Sequence, residues 1–275
     1  MAKRKRKTNK ITNKRREKEG RGEGILGNYK PWINIQDVAS KGLSTRIKGL
    51  KTGRVHHLLS QLELECFYCL DWEAQVLDIR EQYPLYLPET LAIAGQLNIC
   101  HPRVPVTFED VVMTTDFLVT VRHPHGLKEI AFTVKYSKDL ENPRNIEKLE
   151  IERFYWARRD VDWLIITEKQ IKPILVRNIK WVHSFANLQH FSLHITPLII
   201  ETTASFMYKI VSRGNVALRV ATTASDKEFS LETGTSLTIV RHLIAAKRWA
   251  VDMYKPIQPE EPLRLLNRQL QEVFQ

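Results

Sequence analysis

The chain has 275 residues, 43% hydrophobic and 27% charged, with a formal net charge of +11. That length supports one large or two modest domains, each with its own core, and the composition is that of an ordinary folded protein. No membrane-spanning helix is expected, since no apolar run approaches the ~20 residues of a bilayer span, and Cys66, Cys69 and Cys100 are too few for a disulfide framework.

The charge is uneven. Residues 1–21 hold eleven Lys or Arg and two Glu, a net +9, which leaves +2 for the remainder. The run opens Lys3-Arg4-Lys5-Arg6-Lys7. Such a tail neutralises phosphates without reading sequence, so these five residues are candidate DNA contacts; the alternative is a solvated end. No apolar stretch follows the charges, so a secretory signal is not expected and a cytoplasmic location is. Low apolar content with Gly20, Gly22, Gly24 and Gly27 predicts a flexible arm over residues 1–28, with order beginning near Tyr29-Lys30-Pro31-Trp32.

Leu58, Leu59, Leu62, Cys66, Phe67 and Leu70 recur at helical spacing. Ser60 with Glu63 three residues on has the spacing of a capping box. Val76 to Glu81 alternates like a strand, and Pro84 and Pro88 then break the pattern. Phe117-Leu118-Val119-Thr120-Val121 and Ile130-Ala131-Phe132-Thr133-Val134-Lys135-Tyr136 read as the two arms of a hairpin turned by His123-Pro124-His125-Gly126. Residues 145–159 form a charged amphipathic helix through Ile146, Leu149, Ile151, Phe154, Tyr155 and Trp156. Trp163-Leu164-Ile165-Ile166-Thr167 reads as a buried strand. Helix, strands, helix and strand in that order predict a mixed α/β unit.

Beyond residue 168 helical patterns dominate, and a Thr/Ser-rich loop is expected at 222–236. Leu231 to Leu237 leads into a helix through Ile239, Val240, Leu243 and Ile244, and Trp249-Ala250-Val251-Asp252-Met253 reads as a short strand. A helix and strand after such a loop suit a winged-helix-like module. In it Arg241, Lys247 and Arg248, with His242, either meet DNA or form a solvated face. A tail helix through Leu263, Leu265, Leu266 and Leu270, with Val273 and Phe274, is a candidate partner-docking element.

Chemistry concentrates on the hairpin. Asp116 opens one arm; Thr133 and Lys135 stand two apart on the other, where alternation places them on one face. A carboxylate beside a lysine suits phosphodiester cleavage: the acid holds Mg²⁺, which polarises phosphate and acidifies water, and the lysine steadies negative charge. Restriction-type nucleases carry a second acid two residues before the lysine, where this chain has Thr133. One carboxylate is a poor Mg²⁺ site, so Glu63 is the expected second ligand, with the Val134 carbonyl as a further oxygen. Taken singly, Asp116 reads as a turn residue, Lys135 as a solvated one and Glu63 as a helix cap. Cys66-x-x-Cys69 has a zinc-like spacing without a second pair and is expected to pack in the core. His56 and His57 read as structural or solvent-facing, or else as phosphate or metal contacts, and Trp156 and Trp163 as core residues.

The stretches Gly53 to Ser60, Leu62-Glu63-Leu64-Glu65, Val76 to Gln82, Thr115 to Val119, Glu147-Lys148-Leu149-Glu150 and Tyr155-Trp156 resemble the TnsA endonuclease family of heteromeric cut-and-paste transposons. The resemblance implies a restriction-endonuclease-like mixed sheet with flanking helices, followed by a mainly helical, winged-helix-like domain. It implies catalytic acids at Glu63 and Asp116, with Gln-x-Lys in place of Thr133-Val134-Lys135, and a glutamate at Glu152 near a second metal. It also implies Mg²⁺, with Mn²⁺ as substitute, and a bacterial setting. The expected partners are transposon-end DNA, a DDE transposase and an AAA+ ATPase regulator. The expected divisions are an arm over 1–28, a catalytic domain over 29–168 and a DNA- and partner-contacting domain over 169–275. A reading of another class is a non-catalytic adaptor tethering DNA, transposase and regulator, motivated by Thr133.

Overall fold

A computed structural model describes residues 10–38, 43–105, 107–190 and 195–266, in two compact units, Met1–Ile171 and Lys172–Gln275. Lys3 to Lys7 lie outside the described residues. The arm expected over 1–28 is corrected over its second half. Residues Lys10–Lys18 form helix α1. Its Arg16 is 3% exposed, with the guanidinium 5.5 Å over the Trp32 ring and 3.7 Å from Asp37. Arg21 donates to the Trp32 carbonyl and to Asp37. A basic segment folds here because aromatic and acidic partners receive its cations. Gly22 marks a close approach rather than flexibility: its φ is +84°, and a Cβ would sit 2.3 Å from the Pro84 ring.

The first unit continues with β1 (Thr45–Lys48) paired antiparallel to β2 (Val55–Leu58), then α2 (Gln61–Trp72). Next come β3 (Val76–Pro84), α3 (Leu87–Gln96), β4 (Thr114–His123), β5 (Gly126–Val134), α4 (Pro143–Ala157) and β6 (Asp162–Ile166). The main sheet runs β3-β4-β5-β6; its first three strands are antiparallel neighbours, and β6 joins parallel to β5 after the α4 crossover. The β4–β5 ladder closes at His123↔Gly126, at the turn the sequence marks. Helix α3 was hidden behind Pro88, which sits in the helix's first turn, where a missing N–H costs nothing.

Alternation along the strands divides the sheet's faces. Leu118 and Ala131 pack with Leu85, Ile93, Ile151, Tyr155 and Trp156 beneath α3 and α4. Phe117 and Phe132 pair on the other face, where α2 lies against β3 and β5. The result is the mixed α/β layer with flanking helices that the sequence implied.

The second unit holds α5 (Pro173–His183), α6 (Pro197–Val211), α7 (Leu218–Glu228) and α8 (Thr235–Ala245) around buried Ile179, Met207, Leu218, Ile239, Val240 and Leu243. Three expectations are corrected. The loop expected at 222–236 is helical through Glu228, and Asp226 caps α8 by accepting the Gly234 and Ser236 amides at 2.8 Å. The strand expected over Trp249 to Met253 is reduced to one bridge, Val251↔Leu265. Leu263 is buried and Leu265 holds that bridge, so the described start of the final segment is not helical. Leu270, Val273 and Phe274 lie outside the described residues. Among the described residues no helix is long and apolar enough to cross a membrane.

Candidate active site

Glu63 is fixed by the start of α2. Ser60 Oγ accepts from the Glu63 amide at 3.1 Å and donates to Glu63 Oε1 at 3.0 Å, while Oε2 accepts the Leu59 amide at 2.9 Å. Half of the predicted capping box forms: the Ser60 hydroxyl takes the Glu63 amide, while the Glu63 carboxylate reaches back to the Leu59 amide rather than to that of Ser60. Glu63 is 7% exposed. Burial, then the nearby Asp116 charge, push its pKa up to about 7.

Asp116 stands where the hairpin opens. The last ladder pair is Phe117↔Phe132, and beyond it the Val134 amide donates to Asp116 Oδ2 at 2.7 Å. The same oxygen accepts Lys135 Nζ at 2.8 Å, and Nζ also donates to the Val134 carbonyl at 3.0 Å. Burial works against the Lys135 ammonium, but the Asp116 charge and hydrogen bond outweigh it and raise its pKa. Lys135 follows β5, tied by its amide to the Ile166 carbonyl of β6. Asp116 and Lys135 are in direct contact, and Glu63 stands near enough that Asp116 and Lys135 shift its titration and it shifts that of Lys135.

Glu152 is a third buried acid. Its Oε1 accepts Thr115 Oγ1 at 2.6 Å and Thr133 Oγ1 at 2.5 Å. Two indoles stand behind these hydroxyls: Trp156 Nε1 donates to Thr115 at 2.7 Å and Trp163 Nε1 to Thr133 at 3.1 Å. Each hydroxyl accepts from a tryptophan and so turns its single proton to Glu152. Burial pushes the Glu152 pKa up to about 7 against these two bonds. Thr115 and this use of the indoles went unread, because the pairing is set by β4 meeting α4 and β5 meeting β6. Gln82 was also unread as a site residue. It is 3% exposed with φ +51°, and its amide points to Glu63 Oε2 at 3.4 Å.

Other singled-out residues lie elsewhere. His56 is fully buried, with Nδ1 2.8 Å from Glu81 Oε2 and Nε2 2.7 Å from Thr52. Glu81 also receives Arg54. Burial alone would raise the Glu81 pKa, yet the Arg54 and His56 bonds pull it down to about 2. Burial holds the Cys66 thiol well above its usual range and pushes Cys69 up to about 11, as expected of packed thiols. Arg241 lies 4.4 Å over Trp181 and 4.6 Å over Phe185, and Arg248 pairs with Glu201 at 2.8 Å; Lys247 is exposed. Arg241 and Arg248 are thus already engaged within their unit.

Among the described residues no three His, Cys, Asp or Glu side chains form a metal cage. The site instead offers two buried carboxylates, Glu63 and Asp116, and burial with the Asp116 charge pushes the Glu63 pKa up to about 7. Hard oxygen donors with such repulsion fit a hard divalent cation.

Residues 73–168 match the family model described as TnsA-like endonuclease N terminal, and residues 170–253 match TnsA endonuclease C terminal. The transposon Tn7 transposition protein TnsA of Escherichia coli is 38% identical over 241 residues, covering 88% of this chain and 85% of the relative. Asp116, Lys135 and Glu152 fall inside the N-terminal match, and Glu63 precedes it. With both halves matched and a relative 38% identical over 88% of the chain, the chain belongs to the TnsA family of transposon endonucleases.

Proposed function

We propose that this protein is a metal-dependent endodeoxyribonuclease that cuts the 5′, non-transferred strands at transposon ends. A DDE transposase would handle the 3′ ends, and an AAA+ ATPase would regulate the assembly. The observation that carries the reading is the Asp116–Lys135 bond with Glu63 near enough to feel both charges. The relative's description as a transposition protein supports the DNA context.

Glu63, Asp116 and the Val134 carbonyl would hold Mg²⁺ or Mn²⁺, which supplies Lewis acidity toward a phosphate oxygen and an acidified water. Lys135 remains an ammonium in this pocket. It steadies the negative charge that develops on the phosphate, and Asp116 fixes where that ammonium stands. Ser60 and Leu59 hold the Glu63 carboxylate in one orientation, so little reorganisation accompanies its use. The adaptor reading rested on Thr133. The bond from that hydroxyl to Glu152 gives the residue another occupation, and no observation favours the adaptor.

Duplexes carrying transposon ends, incubated with transposase and regulator, test the proposal. Glu63→Ala and Asp116→Ala should lose 5′-strand nicks while 3′ nicking and complex assembly persist. Normal 5′ cutting by both variants would sink it.

A further inference from the structure

The β1–β2 ribbon is chemically one-sided. Residues 38–62 contain no Asp or Glu but five Lys or Arg. Arg54 is consumed internally by Glu81, and Lys41 lies outside the described residues. Arg46, Lys48 and Lys51 remain, and among the described residues none has an acidic partner. The register Arg46↔His57 and Lys48↔Val55 puts Arg46, Lys48, His57 and Val55 on one face of the ribbon. Arg46 and Lys48 are exposed, and Val55 is 49% exposed. The opposite face, through His56 and Leu58, is buried.

The ribbon is also stiff, and it is tied to the pocket. At its tip the Leu50 and Lys51 amides donate to the two carboxylate oxygens of Asp71 at 2.8 and 3.0 Å. Thr52 bonds His56 across the tip, and Gly49 passes so near them that a Cβ would meet His56 Nε2 at 2.7 Å. Asp71 belongs to α2, the helix whose first turn holds Glu63. The two are eight residues apart, about 12 Å of helix rise. One helix thus fixes the cationic tip and the candidate acid at a constant spacing.

We propose that the β1–β2 ribbon, through Arg46, Lys48 and Lys51, grips the DNA phosphate backbone beside the cutting pocket. The inference rests on the nuclease reading for its ligand. The charge complementarity is to a polyanion, and the ribbon leads straight through Leu59 and Ser60 into the pocket. A two-stranded ribbon is a shape that a DNA groove admits. Without fixed hydrogen-bonding side chains on its exposed face other than His57, it would grip without reading bases.

The test compares the full chain with an Arg46→Ala/Lys48→Ala/Lys51→Ala variant on a short random-sequence duplex, with affinity measured across salt concentrations. Removing one cation from a phosphate should flatten the log–log salt slope by about 0.9, so removing three should flatten it by up to about 2.7. KM for end DNA in nicking should rise severalfold while the rate at saturating DNA stays near wild type. Lys48→Gln, a single change at an exposed position, carries the same test with one phosphate at stake. An unchanged slope and KM in both variants, in a protein that nicks normally, overturns the ribbon proposal and leaves the nuclease reading standing. A wild-type protein that binds with a slope the variants flatten, yet never nicks end DNA with Mg²⁺ or Mn²⁺ in the presence of transposase and regulator, upholds the ribbon and overturns the nuclease reading.

Discussion

The Thr133 hydroxyl donates to Glu152 Oε1 over 2.5 Å, with Thr115 donating to the same oxygen. The residue standing where restriction-type nucleases carry a second strand acid is thereby joined to an acid on the following helix. Thr133→Val should strand both Trp163 Nε1 and part of Glu152, at about 1–3 kcal/mol for a buried group left unpaired. Thr133→Ser keeps the hydroxyl and should stay near wild type. Urea midpoints separate the two.

Nicking should rise with pH through about 7. Glu63 is needed ionised, and burial with the Asp116 charge holds its pKa at about 7. Asp116→Asn removes the neighbouring negative charge, so Glu63 should then ionise at lower pH. Carboxyl chemical shifts of labelled glutamate would read that change in a variant that no longer cuts.

The same shifts set a stability slope. Glu63 and Glu152 each have folded pKa values of about 7 against an ordinary 4.5. Folded protein therefore keeps protons that the unfolded chain has lost, and this contribution is full below about 4.5 and lost as pH rises through about 7. Without divalent cation, Tm should fall over that window, and less steeply in Glu63→Gln. Mg²⁺ or Mn²⁺ should raise Tm more at pH 8 than at pH 5.5, and chelation should abolish nicking. A cation effect equal at both pH values would contradict Glu63 as a ligand.

Arg54→Ala should be among the most damaging changes outside the pocket. Glu81 is fully buried, and Arg54 and His56 hold it ionised. Removing one member of such a pair costs about 3–5 kcal/mol, measurable as a fall in Tm.

Local rules carried much of the architecture. Ser60 and Glu63 announced a helix start by spacing alone, and His123 to Gly126 announced the hairpin, because caps and turns are decided within a few residues. The Asp116–Lys135 pairing followed once the hairpin was granted. What stayed hidden depends on contacts between distant segments. The glycines and cations of residues 10–28 look like a loose arm until Trp32, Asp37 and Pro84 are placed against them. Thr115 carries no signal until Trp156 and Glu152 arrive from α4. Pro88 signals a break or a helix's first turn with equal force. Arg241 reads as a DNA contact or a solvated residue because nothing in the chain's local pattern places Trp181 and Phe185 beneath it.

Strand β6 is the last element of the sheet to leave the ribosome, and it supplies the Ile166 carbonyl that holds Lys135 and the Trp163 indole that turns Thr133. Parallel pairing through a helical crossover is slow, because the chain must close a long loop before any contact rewards it. A nascent chain halted before residue 162 holds Glu63, Asp116 and Lys135 yet lacks the strand that locks the lysine. Cutting competence should therefore emerge with the slowest phase of refolding, and a half-made nuclease would be a silent one.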